Sequence, residues 1–203
     1  ERLVRAAGLP LPYIATAEAW DAEMAARIAQ HRDDRGAGWH TLEAPRDLCG
    51  ALAGAKGAVL VDCATLWLTN VMLAEGDVAA EVAALLAALR AHPGPVVVVS
   101  NEVGWGIVPE NALARRFRDE QGRLNQQIAA AADLAGEGMA GPPMALEGTL
   151  PAGAASGSGG RATGRRMKRH SAAGAMGLPI CRIMPRLCGC RGCCRMRPLC
   201  RPT

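Results

Sequence analysis

"PVVVVSNEVG", residues 95–104, sets four valines in a row between a proline and the polar trio Ser-Asn-Glu. Consecutive branched apolar residues without polar alternation describe a strand buried on both faces, as in a parallel sheet covered by helices. "PYIATA" (12–17) and "AVLVDCAT" (58–65) are runs of the same kind. Helical stretches lie between them. Residues 18–31 place Trp20, Met24, Ile28 and His31 on one stripe at spacings of four, four and three. Residues 78–91 are rich in Ala and Leu and stop before "HPGP", while residues 110–132, entered through Pro109, carry Arg115, Arg116, Arg118 and Arg123 on their surface. Strands alternating with helices predict an α/β domain with a mainly parallel sheet. After about residue 134 the pattern fails. "LAGEGMAGPP" stands where another apolar strand would be natural, and its Gly and Glu weigh against a strand near 134–140.

Composition divides the chain in two. Of its 203 residues, the first 150 hold all 19 acidic residues and 12 of the 23 basic ones, while residues 151–203 hold 11 basic residues and no acidic one. All six aromatics (Tyr13, Trp20, Trp39, Trp67, Trp105, Phe117) lie in the first part. Residues 1–150 therefore read as one domain, and residues 151–203 as a low-complexity segment without the bulky side chains a core requires, expected to be disordered. Cys49 and Cys63 are isolated, whereas Cys181, Cys188, Cys190, Cys193, Cys194 and Cys200 crowd into the second part. With no run of about 18 apolar residues and no signal-peptide layout, the sequence points to a cytoplasmic protein without a membrane span. The chain opens on "ERLVRAAGLP", as though entered partway through a helix.

Three stretches carry candidate chemistry. His31 sits where the 18–31 helix meets "RDDRGAG". A helix C-terminus favours a histidine through its dipole, and such a residue also packs well at a core's edge. Beside Arg32 and Arg35, whose planar guanidinium groups suit phosphate oxygens, it is equally placed to attack phosphorus as a neutral imidazole. Asp33 and Asp34 do not fit simple anion binding and need another role, such as ribose or metal contact. Asp62 closes the strand in "VLVDCAT", where nucleotide-binding sheets hold Mg²⁺ or orient substrate, although many strands end in Asp for turn reasons alone. Thr16 stands at the end of "PYIATA" and is read either as a helix cap or as part of an anion-facing backbone. In "SNEVGWGIVPEN" (100–111), Asn101 and Glu102 lead into a glycine-spaced loop whose "VGWGIV" reads as buried.

The basic, cysteine-rich segment has its own alternatives. "CGCRGCC" (188–194) bunches its cysteines too closely for the paired spacing of zinc sites, and the arginines invite nonspecific nucleic-acid binding. Loss of acids and aromatics with gain of Arg, Gly, Ala, Pro and Cys is also what GC-rich DNA gives in a wrong frame. That account predicts a segment without evolved function and argues against nucleic acid as a partner.

"YIATAEAWDAEMAARIAQHRDDRGAGWHTLEAP" (13–45), "LVDCATLWLTN" (60–70) and "NEVGWGIVPENALARRFRDEQGRLNQQIAAAAD" (101–133) together resemble the bifunctional adenosylcobinamide kinase/adenosylcobinamide-phosphate guanylyltransferases of cobalamin biosynthesis. The resemblance covers residues 1 to about 133, and "PMALEGTLP" (143–151) resembles that family's C-terminal end. It implies a P-loop-NTPase-like fold of three layers and two reactions, with GTP, ATP and Mg²⁺ as cofactors and either ATP or GTP as the donor in the kinase step. Adenosylcobinamide is phosphorylated; then GMP passes from GTP through an enzyme histidine to adenosylcobinamide phosphate. The family's H-[KR]-x-x-R stretch falls on His31–Arg35, which makes His31 the implied nucleophile. Thr16, Ala17, Glu18, Arg32, Asp33, Asp34, Arg35, Glu43 and Asp62 are then the implied GTP contacts. A homo-oligomer is implied as well.

The family also opens on a strand and a glycine-rich G-x-x-x-x-G-K-S loop, expected just ahead of "ERLVRAAG", with no match in residues 1–203. The expectation is therefore an N-terminally truncated or frame-damaged copy, with neither reaction running at a useful rate. A narrower reading keeps covalent transfer alone, with GTP and Mg²⁺ marking His31. A reading from another class makes the chain a non-catalytic nucleotide-fold remnant whose basic arm binds nucleic acid or zinc.

Overall fold

The computed structural model describes residues 1–7, 10–138 and 143–151, together with the backbone of residues 179–184. Helix α1 (Arg2–Ala6) precedes strand β1 (Leu11–Ala15) and helix α2 (Ala22–Arg35). Then come β2 (Trp39–Glu43), α3 (Leu48–Gly54), β3 (Val59–Asp62), α4 (Ala64–Leu73) and α5 (Val78–Ala91). The chain continues through β4 (Val96–Asn101), α6 (Ala112–Ala131), β5 (Leu134–Gly138), β6 (Pro143–Glu147) and β7 (Pro179–Met184). The seven strands form one sheet in the order β2-β1-β3-β4-β7-β5-β6. The first four run parallel; the apolar runs predicted β1, β3 and β4, whereas β2, with the mixed sequence WHTLE and no buried residue, was not foreseen.

Alternate residues of those strands feed two cores. Ile14, Val59, Val61, Val96 and Val98 face helices α3 to α6, where Trp67, Leu68, Leu85, Leu89, Leu124 and Ile128 close over them. Leu11, Tyr13, Leu60 and Val97 face the other way, onto Val4 of α1. Each such side chain, fully buried, contributes about 1.5–3 kcal/mol. This is why the valine run shows no polar alternation: neither face of β4 is wet.

Helices α2, α3, α5 and α6 start where a short acid or amide can accept a backbone N–H. Asp21 caps α2 at Met24 N (2.7 Å), Asp47 caps α3 at Gly50 N (2.8 Å), Asp77 caps α5 and Asn111 caps α6 at Ala114 N (3.1 Å). These caps correct the sequence reading in two places. Helix α2 begins after Trp20, which lies outside it and is exposed, and α6 is capped by Asn111 rather than entered at Pro109. The far end of α2 also differs. The helix runs four residues past His31, supported by a Gln30–Asp34 hydrogen bond of 2.8 Å one turn apart, and ends at Gly36, whose φ of 68° breaks the helical path. Met24 and Ile28 are only half-buried and His31 is exposed, so the stripe is not a core face.

One further expectation fails in the second half of the sheet. Leu134–Gly138 does form a strand, with Leu134 and Ala135 buried, because β7 and β6 supply ladder partners on both sides. Residues 179–184, within the segment expected to be disordered, form β7 and run antiparallel to both β4 and β5. The cysteines from 188 onward, and with them the zinc and nucleic-acid readings, lie outside the described residues. Among the described residues no helix is long and apolar enough to cross a membrane.

Candidate functional site

Parallel strands bring their carboxyl ends to one edge, and the register of this sheet lines up two of the expected positions. Ala15 pairs with Glu43 on one side and with Asp62 on the other. Glu43 and Asp62 therefore flank the point where β1 turns into the loop bearing Thr16, Ala17 and Glu18. The loop is tied down from beneath. Thr16 is fully buried; its hydroxyl donates to Cys63 O (2.7 Å) and accepts from Cys63 N (2.8 Å), while its own N–H donates to Asp62 O (3.0 Å). It is thus a clip between β1 and β3 rather than the cap of α2, a role Asp21 takes. Asn70, buried in α4, donates to both Thr16 O (2.8 Å) and Pro45 O (2.9 Å), joining the ends of β1 and β2. Ala17 and Glu18 are left half-buried at the rim.

The last turns of α2 meet this edge through two contacts. Arg32 Nη2 lies 3.3 Å from Glu43 Oε1. Arg35, one turn beyond His31, is buried; its guanidinium sits 3.4 Å over the Tyr13 ring and reaches Thr41 Oγ1 at 3.4 Å. The Tyr13 hydroxyl donates to Asp62 Oδ2 at 2.5 Å. A continuous chain of contacts thus runs from the turn carrying His31, through Arg35 and Tyr13, to Asp62. Burial raises the Tyr13 pKa, and the charge of Asp62 and its hydrogen bond add to the rise, against the opposing pull of Arg35. Burial likewise pushes the Cys63 thiol up, against hydrogen bonds from Leu66 and Thr65, which disfavours the thiolate at this edge. His31, Asp33 and Asp34 stand exposed on α2, and Arg35 alone of the H-x-x-x-R stretch is packed.

Tyr13, Thr41 and Asn70 are the parts sequence reading missed. Tyr13 is the chain's one tyrosine, yet inside an apolar run it counts simply as core. Two grooves open beside the edge. One, of about 580 Å³, is lined by Glu43, Arg46, Asp47 and the small face of α3 formed by Gly50, Ala51 and Gly54. The other, of about 380 Å³, lies where β4 gives way to the next loop, between Glu102–Gly104 and α6 residues Arg118, Asp119 and Arg123. Glu102 is fixed there by Asn125, which donates to its Oε1 at 2.8 Å. Asn125 in turn accepts from Ser100 (2.6 Å) and Gln121 (2.9 Å) in a buried network. The "VGWGIV" stretch is not buried as its composition suggested: Trp105, Ile107 and Val108 are exposed.

Comparison with known proteins points one way. The family described as cobinamide kinase / cobinamide phosphate guanyltransferase matches residues 1–146. The bifunctional adenosylcobalamin biosynthesis protein CobP of Pseudomonas aeruginosa is 47% identical over 153 residues, covering 73% of this chain and 88% of the relative. The CobU proteins of Salmonella typhimurium and Escherichia coli, described in the same words, are 46% and 42% identical over 139 residues. Each of those two matches covers 60% of this chain and 77% of the relative.

Proposed function

The chain belongs to the cobinamide kinase / cobinamide phosphate guanyltransferase family, and from that premise we propose that it moves GMP from GTP through His31 to adenosylcobinamide phosphate. A neutral ring nitrogen of His31 attacks the α-phosphorus of GTP. The bond from that phosphorus to the bridging oxygen breaks, and pyrophosphate leaves. A phosphate oxygen of adenosylcobinamide phosphate then attacks the same phosphorus, the P–N bond breaks, and adenosylcobinamide-GDP departs with the imidazole restored.

The observation that carries this reading is the contact chain from the His31 turn through Arg35 and Tyr13 to Asp62, with Arg32 beside Glu43. It ties a nucleophile-bearing helix to the sheet edge where phosphates are held. Within it Arg32 is the guanidinium free enough to meet charge developing on the leaving group. Buried Arg35 keeps the helix in register with Tyr13. Glu43, beside the groove along α3, serves the guanine or ribose, and Asp33 and Asp34, exposed on α2, are assigned further GTP contacts. Thr16 holds the loop whose Ala17 and Glu18 face the nucleotide.

Asp62 suits Mg²⁺, which takes one or two carboxylates plus substrate phosphates; Tyr13 occupies its Oδ2, and none of the described residues bonds its Oδ1. There the ion would offset phosphate charge. Residues 1–203 contain no glycine-rich G-x-x-x-x-G-K-S loop, so we assign the kinase step no residue of this chain.

GTP radiolabelled at the α-phosphate, with Mg²⁺, is expected to label the chain, whereas GTP labelled at the γ-phosphate is not. His31→Ala should abolish that label. A label that survives the substitution removes His31 from the mechanism.

A further inference from the structure

The loop from Glu102 to Asn111 displays its largest apolar side chains instead of hiding them. Trp105 is 68% exposed, Ile107 96% and Val108 64%, and Leu113 at the start of α6 adds to the patch at 50%. The display is braced. Arg118 donates to Gly104 O (2.6 Å) and Gly106 O (3.3 Å), and Arg115 donates to Pro109 O (2.9 Å) and Glu110 O (2.5 Å). Four charge-assisted bonds from one helix hold the backbone of this loop with its apolar side chains displayed. The first residues of the same loop, Glu102 to Gly104, also form a wall of the polar groove against Arg118 and Asp119. A rigid apolar shelf therefore adjoins a polar trough at the carboxyl end of β4.

A connector has no use for that pairing, but a broad, flat molecule with an apolar face and a polar rim does. We propose that Trp105, Ile107 and Val108 form the platform that receives the corrin macrocycle of cobinamide, with the adjoining groove taking its amide-bearing edge. The proposal rests on the family reading and names the part of this chain that recognises the acceptor. The size of the patch favours this occupant over a second copy of the chain. Four such side chains offer on the order of 500 Å², in the range of a functional surface patch, while a stable pair of proteins needs about 800 Å² from each partner.

Equilibrium dialysis of the full chain against cobinamide, read by the corrinoid's visible absorbance, tests the assignment. The double substitution Trp105→Ser with Ile107→Ser should raise the Kd about tenfold or more, as expected when central apolar contacts are lost. Both side chains are exposed, so the fold should persist, and labelling by GTP should match the parent chain. Arg118→Ala, which releases the brace without touching the apolar surface, should also weaken cobinamide binding. An unchanged Kd in the double variant overturns the proposal, as does a parent chain that binds no cobinamide. So does a double variant that loses only sedimenting mass, which would make the patch a contact between copies. Platform-dependent cobinamide binding in a chain that GTP never labels would keep the platform and remove the His31 mechanism instead.

Discussion

Tyr13 shows how one residue can connect a site without touching its ligands. Its ring carries Arg35, its hydroxyl holds Asp62, and its burial makes the phenolate costly. The sign of the pH effect follows. The unfolded chain ionises this group near the ordinary tyrosine value of about 10, whereas the folded chain holds its proton to higher pH. Its contribution to stability is complete below the ordinary value and is lost as pH rises beyond it. Because the chain has a single tyrosine, phenolate absorbance reports this group alone. Native protein at about pH 11 should show no phenolate band, and urea at the same pH should bring it out. A full band in the native state would mean that Tyr13 is not held as described. At this scale little of the site was legible in the sequence. His31 shares its composition and spacing with any histidine near a helix end, and only the longer resemblance singled it out. The clip made by Thr16 depends on Cys63, 47 positions away, a pairing that no local pattern contains.

Elements were read better where their pattern depends on burial alone. The three apolar runs became β1, β3 and β4 because strands covered on both faces leave an unbroken signature. Helix α2 was misplaced by periodicity, since residues 20, 24 and 28 keep helical spacing although the chain becomes helical only after Asp21. Apolar composition also misled in the 103–108 loop, because it records what a side chain is and not where a brace of arginines holds it. With α2 making few core contacts, its cap should matter locally: Asp21→Ala is expected to cost the helix about 1 kcal/mol. The loss should appear as faster amide hydrogen exchange in residues 22–35 with little change in α4 or α5. Uniform acceleration through every helix would instead mark α2 as part of the cooperative core.

For the whole molecule, the boundary in composition near residue 150 is not a boundary in the sheet. Gly136 and Glu137 make a poor strand by propensity, but β5 has a neighbour on each side, and ladder bonds override weak local preference. The neighbour between it and β4 is β7, from a segment whose composition gave no sign of regular structure. Strand β7 is the last of the described strands along the chain and fifth across the sheet. A chain ending at residue 178 should leave β4 and β5 each with an unpaired edge. It is expected to form soluble aggregates on a sizing column, whereas the full chain elutes as a defined species. A monodisperse truncated chain would show that β7 is dispensable. The same topology sets an order in time. During synthesis the valine edge of β4 emerges some eighty positions before its partner, and it stays open until residues 179–184 have left the ribosome. The sheet is completed from its middle rather than its rim, so its yield in the cell depends on what shields that edge during the wait.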